Sequence, residues 1–328
     1  MWMDGEFVGW EDASVHAMSH ALHYGTAVFE GVRCYATADG PAVFRLREHL
    51  ERFARSASFL FMGMPWTVGD LEEACHETVR RNGFKDCYLR PLAFYGAGPM
   101  NFTFKGNQVR VFVAAWPWGA YMGDGLRNGI RVKTVSWRKT PTNSMPSTAK
   151  LSGNYVNSCL AFQEAMRAGF DEALLLNDNG SVAEGSGENV FMVESGRVTT
   201  PPVSDNILAG ITRESVMTIA KELGYGVREA SLTRAELISA DEVFMTGTAA
   251  EVTPVREIDW QPVGSGKPGE VTQKVQSTFF AAVRGELPEY AHWLSYVDKK
   301  DEAAGSQARP AEPARQAASQ PHRSGGGP

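Results

Sequence analysis

The sequence is poor in cysteine. Its 328 residues include only Cys34, Cys75, Cys87 and Cys159, and no two of them have the C-x-x-C spacing of a redox or metal site. Four cysteines in so long a chain do not make a disulfide framework. Together with the absence of a basic and apolar leader at the N-terminus, this predicts a cytoplasmic protein.

Positive charge is also limited. The 32 basic and 38 acidic residues give a net charge of −6, which argues against the basic face of a general nucleic-acid-binding protein. Lysine is scarcer than arginine, and only eight lysines lie in residues 1–298. No uncharged apolar run is long enough to span a bilayer, so we expect no membrane partner.

Large apolar residues are missing from one segment. Residues 299–328 contain no Val, Ile, Leu, Met, Phe, Trp, Tyr or Cys. Such a segment buries too little apolar surface to offset its ordering entropy, which predicts a disordered tail. The other 298 residues are enough for about two domains.

The remaining chain predicts a mixed α/β fold in both halves. A Pro- and Gly-rich break after Trp116 predicts a small N-terminal domain at 1–117, a linker at 118–127 and a large domain at 128–298. Apolar periodicity predicts a hairpin at 2–8, helices at 49–62, 70–82, 155–168, 212–223, 234–240 and 270–284, and strands at 87–95, 109–116, 131–136, 172–176, 189–193 and 242–245.

Common motifs are absent. Val190 stands where a dinucleotide fingerprint needs its third glycine, and Gln261 stands where a P-loop needs its first. His20 and His23 are three residues apart, but no carboxylate or cysteine lies nearby at ligand spacing. We therefore predict no metal site.

Lys150 is the first candidate for chemistry. It is the only charged residue between Thr140 and Gln163, and small neutral residues surround it. Burial would lower its pKa and raise the fraction of neutral amine that a nucleophile needs. Composition alone is equally compatible with a solvated loop lysine.

Three Gly-containing turns could converge with this lysine. Gly210-Ile211-Thr212 begins a predicted helix, and the turn at 247–250 follows a predicted strand, so the free amides of both could hold a phosphate. The turn at 184–189 carries two carboxylates, one of which could face a cationic ring nitrogen. Taken singly, each turn is also compatible with an ordinary helix start or a solvated loop.

Taken together, these segments resemble the branched-chain amino-acid aminotransferases, which are class IV, fold type IV pyridoxal-phosphate enzymes. The resemblance extends from Trp2 to about Val297. It implies a smaller N-terminal and a larger C-terminal α/β domain with the active site between them. The segments that carry it are 20–35, Tyr88-Leu89-Arg90-Pro91, 117–121, Ala149-Lys150, Gly153-Asn154-Tyr155, 183–189, Gly210-Ile211-Thr212-Arg213 and 246–251.

The resemblance implies pyridoxal 5'-phosphate as the cofactor. Lys150 would hold it covalently, and Glu184 would pair with its ring nitrogen and keep that nitrogen protonated. The other residues implied to contact the cofactor are Arg52, Tyr155, Gly210, Ile211, Thr212, Gly247 and Thr248.

The resemblance also implies a pocket for an apolar side chain and a carboxylate. Arg90 with Tyr24 would meet the γ-carboxylate of glutamate, Arg33 would orient Tyr88, and Tyr88 with the amides at 248–249 would hold the α-carboxylate. The implied substrate-binding residues are Tyr24, Phe29, Gly31, Arg33, Tyr88, Arg90, Trp118, Tyr121 and Ala249.

The implied reaction is a ping-pong transamination of leucine, isoleucine and valine with 2-oxoglutarate, in which Lys150 moves the proton. Part of the pocket would come from another subunit, through Tyr24 and the loop 96–102, which implies a homodimer or a larger homo-oligomer. Alternatives on the same fold are a D-amino-acid aminotransferase, an (R)-selective amine transaminase and an aminodeoxychorismate-type lyase. A binding protein without catalysis is a further alternative.

Overall fold

The computed structural model describes residues 1–119 and 122–298, so Tyr121 and the predicted tail 299–328 lie outside the described residues. The helices are α1 (His20–Tyr24), α2 (Leu46–Phe59), α3 (Val68–Asn82), α4 (Gly125–Asn128), α5 (Tyr155–Arg167), α6 (Ile211–Glu222), α7 (Arg234–Ser239) and α8 (Glu270–Val283). The strands are β1 (Trp2–Met3), β2 (Glu6–Phe7), β3 (Ala27–Phe29), β4 (Val32–Thr37), β5 (Gly40–Phe44), β6 (Cys87–Tyr95), β7 (Val109–Trp116), β8 (Ile130–Arg138), β9 (Glu172–Leu176), β10 (Val182–Gly185), β11 (Asn189–Glu194), β12 (Arg197–Thr200), β13 (Gly226–Glu229), β14 (Glu242–Gly247), β15 (Glu251–Ile258), β16 (Gln261–Pro262) and β17 (Leu294–Tyr296). Short 3-10 turns occupy Ser152–Asn154, Val203–Asp205 and Pro288–Trp293.

The first sheet is antiparallel. All of its strands except β17 come from the N-terminal part of the chain. Its strand order is β17-β5-β4-β6-β7-β1-β2, and β3 pairs with β6. The predicted hairpin is confirmed by the antiparallel pairing of β1 with β2. The predicted strands 87–95 and 109–116 are confirmed with the same bounds.

Helices α2 and α3 pack on this sheet. Leu50, Phe53 and Ala57 of α2 lie in the same core cluster as the buried face of α3. Helix α3 begins at a capping box in which the Thr67 side chain and the N3 carboxylate bond each other's backbone amides. The prediction that α2 continues to residue 62 was wrong. It ends at Phe59, and Phe61 takes a left-handed backbone that leaves its ring 82% exposed.

The second sheet is mixed and is built from residues 130–262. Its order is β10-β9-β8-β15-β14-β11-β12-β13, and β16 pairs with β15. Strand β8 runs parallel to both of its neighbours, while the β14–β15 pair is an antiparallel hairpin. Helices α6 and α8 cover one face of the β11–β14 region, and α5 packs on β8 and β9. The prediction of a mixed α/β fold is confirmed.

The two sheets share a core. Phe44 of β5 packs its ring edge-on against Phe279 of α8, and both belong to the cluster that contains Phe191 and Phe244 of the second sheet. Strand β17 then returns the end of the described chain to the first sheet beside β5. Residues 1–298 form one compact unit, and the division at 118–127 remains a prediction.

Two further observations concern the described ranges, 1–119 and 122–298. None of their helices is long and apolar enough to cross a membrane. They also contain no group of three His, Cys, Asp or Glu side chains that could hold a metal ion. The two ring nitrogens of His20 lie 2.8 Å from the Thr26 hydroxyl and 2.8 Å from the Asn101 carbonyl, so this histidine is engaged in structural hydrogen bonds.

Candidate active site

A cavity of about 470 Å³ lies where the two sheets meet. Strands of the first sheet supply its aromatic wall, and helix α5 and two turns of the second sheet supply the opposite wall. Its lining residues are Phe29, Gly31, Tyr88, Arg90, Trp118, Lys150, Tyr155, Ser158, Cys159, Phe162, Gln163, Ser186, Gly187, Glu188, Thr248 and Ala249. The fold therefore brings distant segments of the predicted site into one cavity.

The Lys150 segment is fixed by its backbone. The Lys150 amide donates to the Ser56 hydroxyl at 2.9 Å, and its carbonyl accepts from the Phe29 amide at 3.2 Å. Its ammonium donates to the Tyr155 hydroxyl at 2.5 Å. Burial and the nearby Arg52 guanidinium lower the pKa of Lys150 from 10.5 to about 8. Lys150 is thus partly buried, and its lowered pKa increases the fraction of neutral amine at neutral pH.

Glu184 lies at the far side of a smaller cavity that Lys150 and Tyr155 also line. One carboxylate oxygen accepts from Lys139 at 2.5 Å, and the other accepts from the Asn189 side chain and the Leu208 amide, each at 3.0 Å. Burial lowers the pKa of Lys139, but the Glu184 carboxylate more than offsets this, so the pKa is raised. Glu184 is thus a held anion that faces the cavity.

Lys139 and Asn189 were missed as functional residues at the sequence level. Lys139 follows the end of β8 directly beside Arg138, and adjacent charges there look like a solvated strand end. Asn189 is in a segment that carried the resemblance, and its position two residues beyond Gly187 was a usable signal. The hydrogen bond from Lys139 depends on how β8 and β10 are arranged around β9, which no local pattern reports.

A second set of residues forms an amide-rich cradle. It contains the first turn of α6 with its cap residue Gly210, the β14–β15 turn, and Arg52. The Gly210 cap has no side-chain hydrogen bond, so the first amides of this twelve-residue helix are available to an anion. The buried hydroxyl of Thr246 also has no hydrogen-bond partner among the described residues. The residues of this cradle are Arg52, Gly210, Ile211, Thr212, Thr246, Gly247 and Thr248.

The Glu30 carboxylate fixes the position of the Arg52 guanidinium. The guanidinium donates two hydrogen bonds to the Glu30 carboxylate, at 2.7 and 2.8 Å, and a third to the Ala209 carbonyl at 2.8 Å. His49 approaches the same carboxylate at 2.8 Å. Burial raises the pKa of Glu30, but Arg52 and His49 override it and hold that pKa well below its usual range. Sequence reasoning missed Glu30 and His49. Both act through Arg52 and do not line the cavity, and their contacts form only when the chain folds.

The aromatic wall explains why position 31 is glycine. A Cβ at Gly31 would lie 1.8 Å from the Tyr88 hydroxyl, so any side chain there would displace Tyr88. Tyr88 lies beside Trp118, with ring centroids 5.1 Å apart, and Phe29 meets Tyr155 edge-on at 4.7 Å. The predicted wall residues Phe29, Tyr88, Trp118 and Tyr155 therefore form two contacting aromatic pairs.

Arg90 is the cation of this wall. Its guanidinium lies 4.8 Å from the ring centroid of Phe29 and 5.5 Å from that of Tyr88. Its Nε has no hydrogen-bond partner among the described residues, although it is buried. A carboxylate that entered the cavity could satisfy it.

Two of the described substrate residues that were predicted, Tyr24 and Arg33, do not line this cavity. Tyr24 is exposed at the end of α1 and contacts Phe102 with ring centroids 5.6 Å apart. The Arg33 guanidinium instead reaches the Trp118 carbonyl at 3.3 Å, and its proposed effect on Tyr88 remains a prediction. Tyr121 lies outside the described residues.

Helix α5 contributes residues that the sequence did not single out. Ser158, Cys159 and Phe162 extend the cavity wall from Tyr155, at the spacing of one helix face. This spacing was a usable signal once Tyr155 had been chosen. Gln163 completes the same wall.

Glu188 is a second carboxyl group at the cavity wall. It packs against the buried Glu172, and burial raises its pKa well above the usual range, with Glu172 adding to the effect. The Glu172 pKa is raised by burial as well. Two carboxyl groups in contact share a proton more easily than they both ionise, so this pair adds little charge to the cavity.

A family model described as "Amino-transferase class IV" matches residues 27–258, which span this cavity. The chain belongs to the class IV aminotransferases. The branched-chain-amino-acid aminotransferase of Escherichia coli (strain K12) is 46% identical over 301 residues, which cover 91% of this chain and 97% of that protein. The matched range of this class IV aminotransferase includes Lys150, Glu184 and both amide-rich turns.

Solved structures agree with the family assignment. The T.th. branched-chain amino acid aminotransferase with pyridoxamine 5'-phosphate is 54% identical, with a TM-score of 0.88 over 90% of this chain and 98% of that one. The Escherichia coli enzyme superposes with a TM-score of 0.89 at 46% identity, over 90% of this chain and 98% of that one. The class IV aminotransferase described above is therefore an enzyme with the fold of these relatives.

Proposed function

We propose that this enzyme transfers the amino group of branched-chain L-amino acids to a 2-oxo acid, most simply 2-oxoglutarate, with pyridoxal 5'-phosphate as its cofactor. The observation that carries this proposal is the environment of the Lys150 amine. This amine has a pKa lowered to about 8, and it stands between an apolar aromatic cavity and an anion-binding cradle. Relatives named branched-chain-amino-acid aminotransferase, which cover almost all of residues 1–298, supply the substrate class.

The residues present fit this cofactor. The guanidinium of Arg52, the free amides at the start of α6 and the Thr246 hydroxyl, which lacks a partner in the described part of the chain, suit a phosphate. The anionic Glu184 suits a protonated ring nitrogen. Pyridoxal phosphate, when bound, supplies an electron-withdrawing ring that stabilises negative charge at the substrate Cα. The individual contacts to the cofactor are part of the proposal.

Lys150 carries out the proton transfers. At neutral pH a lysine with a pKa of about 8 is neutral in a useful fraction of molecules, so it can attack a carbonyl carbon and accept a proton. Tyr155 lies 2.5 Å from its Nζ, and burial raises the pKa of this phenol, so it stays protonated and orients the amine. Lys150 would therefore accept the proton of the substrate Cα as a general base and return it as a general acid to C4′ of the cofactor, the carbon on the other side of the nitrogen.

The cavity suits the two kinds of substrate side chain in turn. Phe29, Tyr155 and Trp118 offer apolar surface to a branched aliphatic chain, which gains free energy by leaving water. Arg90, whose Nε is unpartnered within residues 1–119 and 122–298, offers a hydrogen-bond donor for the γ-carboxylate of glutamate. The amides at 248–249 hold the α-carboxylate that both substrates share.

A homodimer or a larger homo-oligomer completes the pocket in this proposal. Leu22, Tyr24, Phe61 and Phe102 are exposed apolar side chains of α1, of the segment after α2 and of the loop after β6. Such a group of exposed apolar side chains is typical of a protein–protein interface. The free cysteines Cys34, Cys75, Cys87 and Cys159 are compatible with the cytoplasmic location that we propose. Light scattering coupled to gel filtration measures the assembly.

One panel tests the proposed reaction. Leucine, isoleucine, valine, alanine and the D-isomers are each incubated with enzyme and pyridoxal phosphate, with 2-oxoglutarate present or omitted, and 2-oxo acid formation is measured. We expect activity with the branched L-isomers that depends on the acceptor. Activity only with D-substrates would indicate the D-amino-acid or amine transaminase alternative, and activity without an acceptor would indicate a lyase. Borohydride reduction followed by peptide mapping should place the cofactor on Lys150.

A further inference from the structure

Glu251 has an unusual backbone for a buried charged residue. It follows the turn at 248–250 and pairs with Gly247 across the β14–β15 hairpin. Its φ is 56°, in the left-handed region where glycine or asparagine is the common choice after a three-residue turn. The residue is only 3% exposed. The backbone conformation costs free energy, so the side chain must make contacts that compensate for it.

The Glu251 side chain reaches across to the first sheet. Its Oε1 accepts a hydrogen bond from the Tyr35 hydroxyl at 3.0 Å and lies 3.4 Å from Nη1 of Arg33. Burial raises the pKa of both Tyr35 and Glu251, so the phenol stays protonated and donates. Arg33 and Tyr35 both belong to β4, so one carboxylate links β15 to that strand.

Arg33 extends the link to the cavity wall. Its Nη2 donates to the Trp118 carbonyl at 3.3 Å and lies 3.7 Å from the carboxylate of Asp86. Thr248 and Ala249, the turn residues that precede Glu251, line the same cavity as Trp118. Glu251 therefore connects two pieces of the cavity wall that come from different sheets.

We propose that Glu251 is a positioning residue that holds the 248–249 amides and the Arg33–Trp118 wall in register for the substrate's α-carboxylate. This inference rests on the proposed function and deepens it. A glycine would suit the backbone better, so the glutamate is present for its side chain. Its carboxylate ties the turn to β4, and the turn residues Thr248 and Ala249 line the cavity.

The test separates the side chain from the backbone. Glu251→Gly relieves the left-handed strain and removes the side chain, whereas Glu251→Gln keeps the length and the Tyr35 bond but removes the charge that faces Arg33. Ser195→Gly is the matched control, because Ser195 also has a left-handed backbone (φ 49°) in a hairpin turn but is exposed and remote from the cavity. The probe is 4-methylvaleric acid, a branched carboxylate without an amino group, titrated calorimetrically into the holoenzyme.

We expect Glu251→Gly to weaken binding of 4-methylvaleric acid and to raise KM for leucine, each by about tenfold or more, because a charge-assisted hydrogen bond that positions the site is lost. The kcat value should fall much less, and Tm should change little, because the release of backbone strain offsets part of the loss of the contacts with Tyr35 and Arg33. Glu251→Gln should lie between this variant and the wild type. Ser195→Gly should leave binding and KM unchanged.

Two results would overturn the inference. Binding of 4-methylvaleric acid by Glu251→Gly at wild-type affinity would show that the side chain does not position the carboxylate site. A large decrease in Tm, together with a higher KM and an equally reduced kcat, would show a general structural role instead. If the wild-type holoenzyme itself does not bind this acid, the proposed function fails, and this inference fails with it.

Discussion

Two partly buried lysines of the same small cavity have pKa values shifted in opposite directions. Lys150 and Lys139 both line the space beside Glu184, yet the pKa of Lys150 is lowered to about 8 while that of Lys139 is raised. The polar partner of Lys150 is the neutral phenol of Tyr155, and the charge with the largest effect on its pKa is the Arg52 cation. The partner of Lys139 is a carboxylate at 2.5 Å. Burial alone therefore does not make a reactive amine, and the neighbouring charge decides.

The largest expected effect comes from removing the reactive lysine. Lys150→Ala should lower kcat by about 10⁴-fold or more, because the covalent attachment point and the proton carrier are lost together. Steady-state transamination and borohydride trapping measure this. In contrast, a Lys139 variant should still be trapped at position 150. Near-wild-type turnover in Lys150→Ala would show that the two lysines have been assigned the wrong roles.

Removing the other lysine should affect stability first. Lys139→Met leaves the buried Glu184 carboxylate without its cation and should lower the free energy of unfolding of the apoenzyme by about 3 kcal/mol. Chemical denaturation measures this change. Lys139→Arg should retain most of the unfolding free energy that Lys139→Met loses. In the double variant Lys139→Met/Glu184→Gln the loss should be smaller than in Lys139→Met, because no carboxylate is left without its cation. An unchanged unfolding curve in Lys139→Met would contradict the ion pair.

The depressed pKa of Lys150 can be moved. Arg52→Gln removes a nearby cation and leaves the Glu30 carboxylate with His49 as its remaining partner, and both changes favour the ammonium, so the pKa of Lys150 should rise from about 8 toward 10.5. The reaction of apoenzyme Lys150 with trinitrobenzenesulfonate, followed by peptide mass spectrometry, should increase with pH through about 8 in the wild type and at higher pH in Arg52→Gln. Arg47→Gln, an exposed arginine of the same helix, is the control. A midpoint that does not move would show that burial acts alone.

The smallest expected effect is at a third lysine. Lys133 lies on β8 and pairs with Asp259 at 3.2 Å, but it is partly exposed, and Arg234 and the Thr134 amide also bond that carboxylate. Lys133→Gln should cost about 1 kcal/mol or less of unfolding free energy and leave KM and kcat unchanged. A loss as large as that of Lys139→Met would mean that a lysine in β8 and the lysine that follows it contribute equally to stability, whatever their partners.

Local patterns of the sequence predicted the long elements well. The strands at 87–95, 109–116 and 172–176 have the predicted bounds because their apolar residues recur without interruption. The short strands β3 to β5 were not predicted. Strand β3 pairs with the remote β6, whereas β4 and β5 form a local hairpin whose turn at 37–40 was a usable signal. The end of α2 was misplaced because Phe61 continues the apolar spacing after the backbone has already turned away.

The sequence by itself determined the residue types of this site and their segments. A lysine alone in an uncharged stretch and turns rich in glycine were candidates for chemistry, and the resemblance to a known family implied roles for them and for the aromatic residues near Arg90. The tertiary structure decided which charges meet. Lys139 beside Glu184, Glu30 beneath Arg52 and Glu251 against Arg33 join residues that are 22 to 218 positions apart in the chain. Electrostatic energies depend on distance in space and on burial, and a sequence pattern reports neither for residues so far apart.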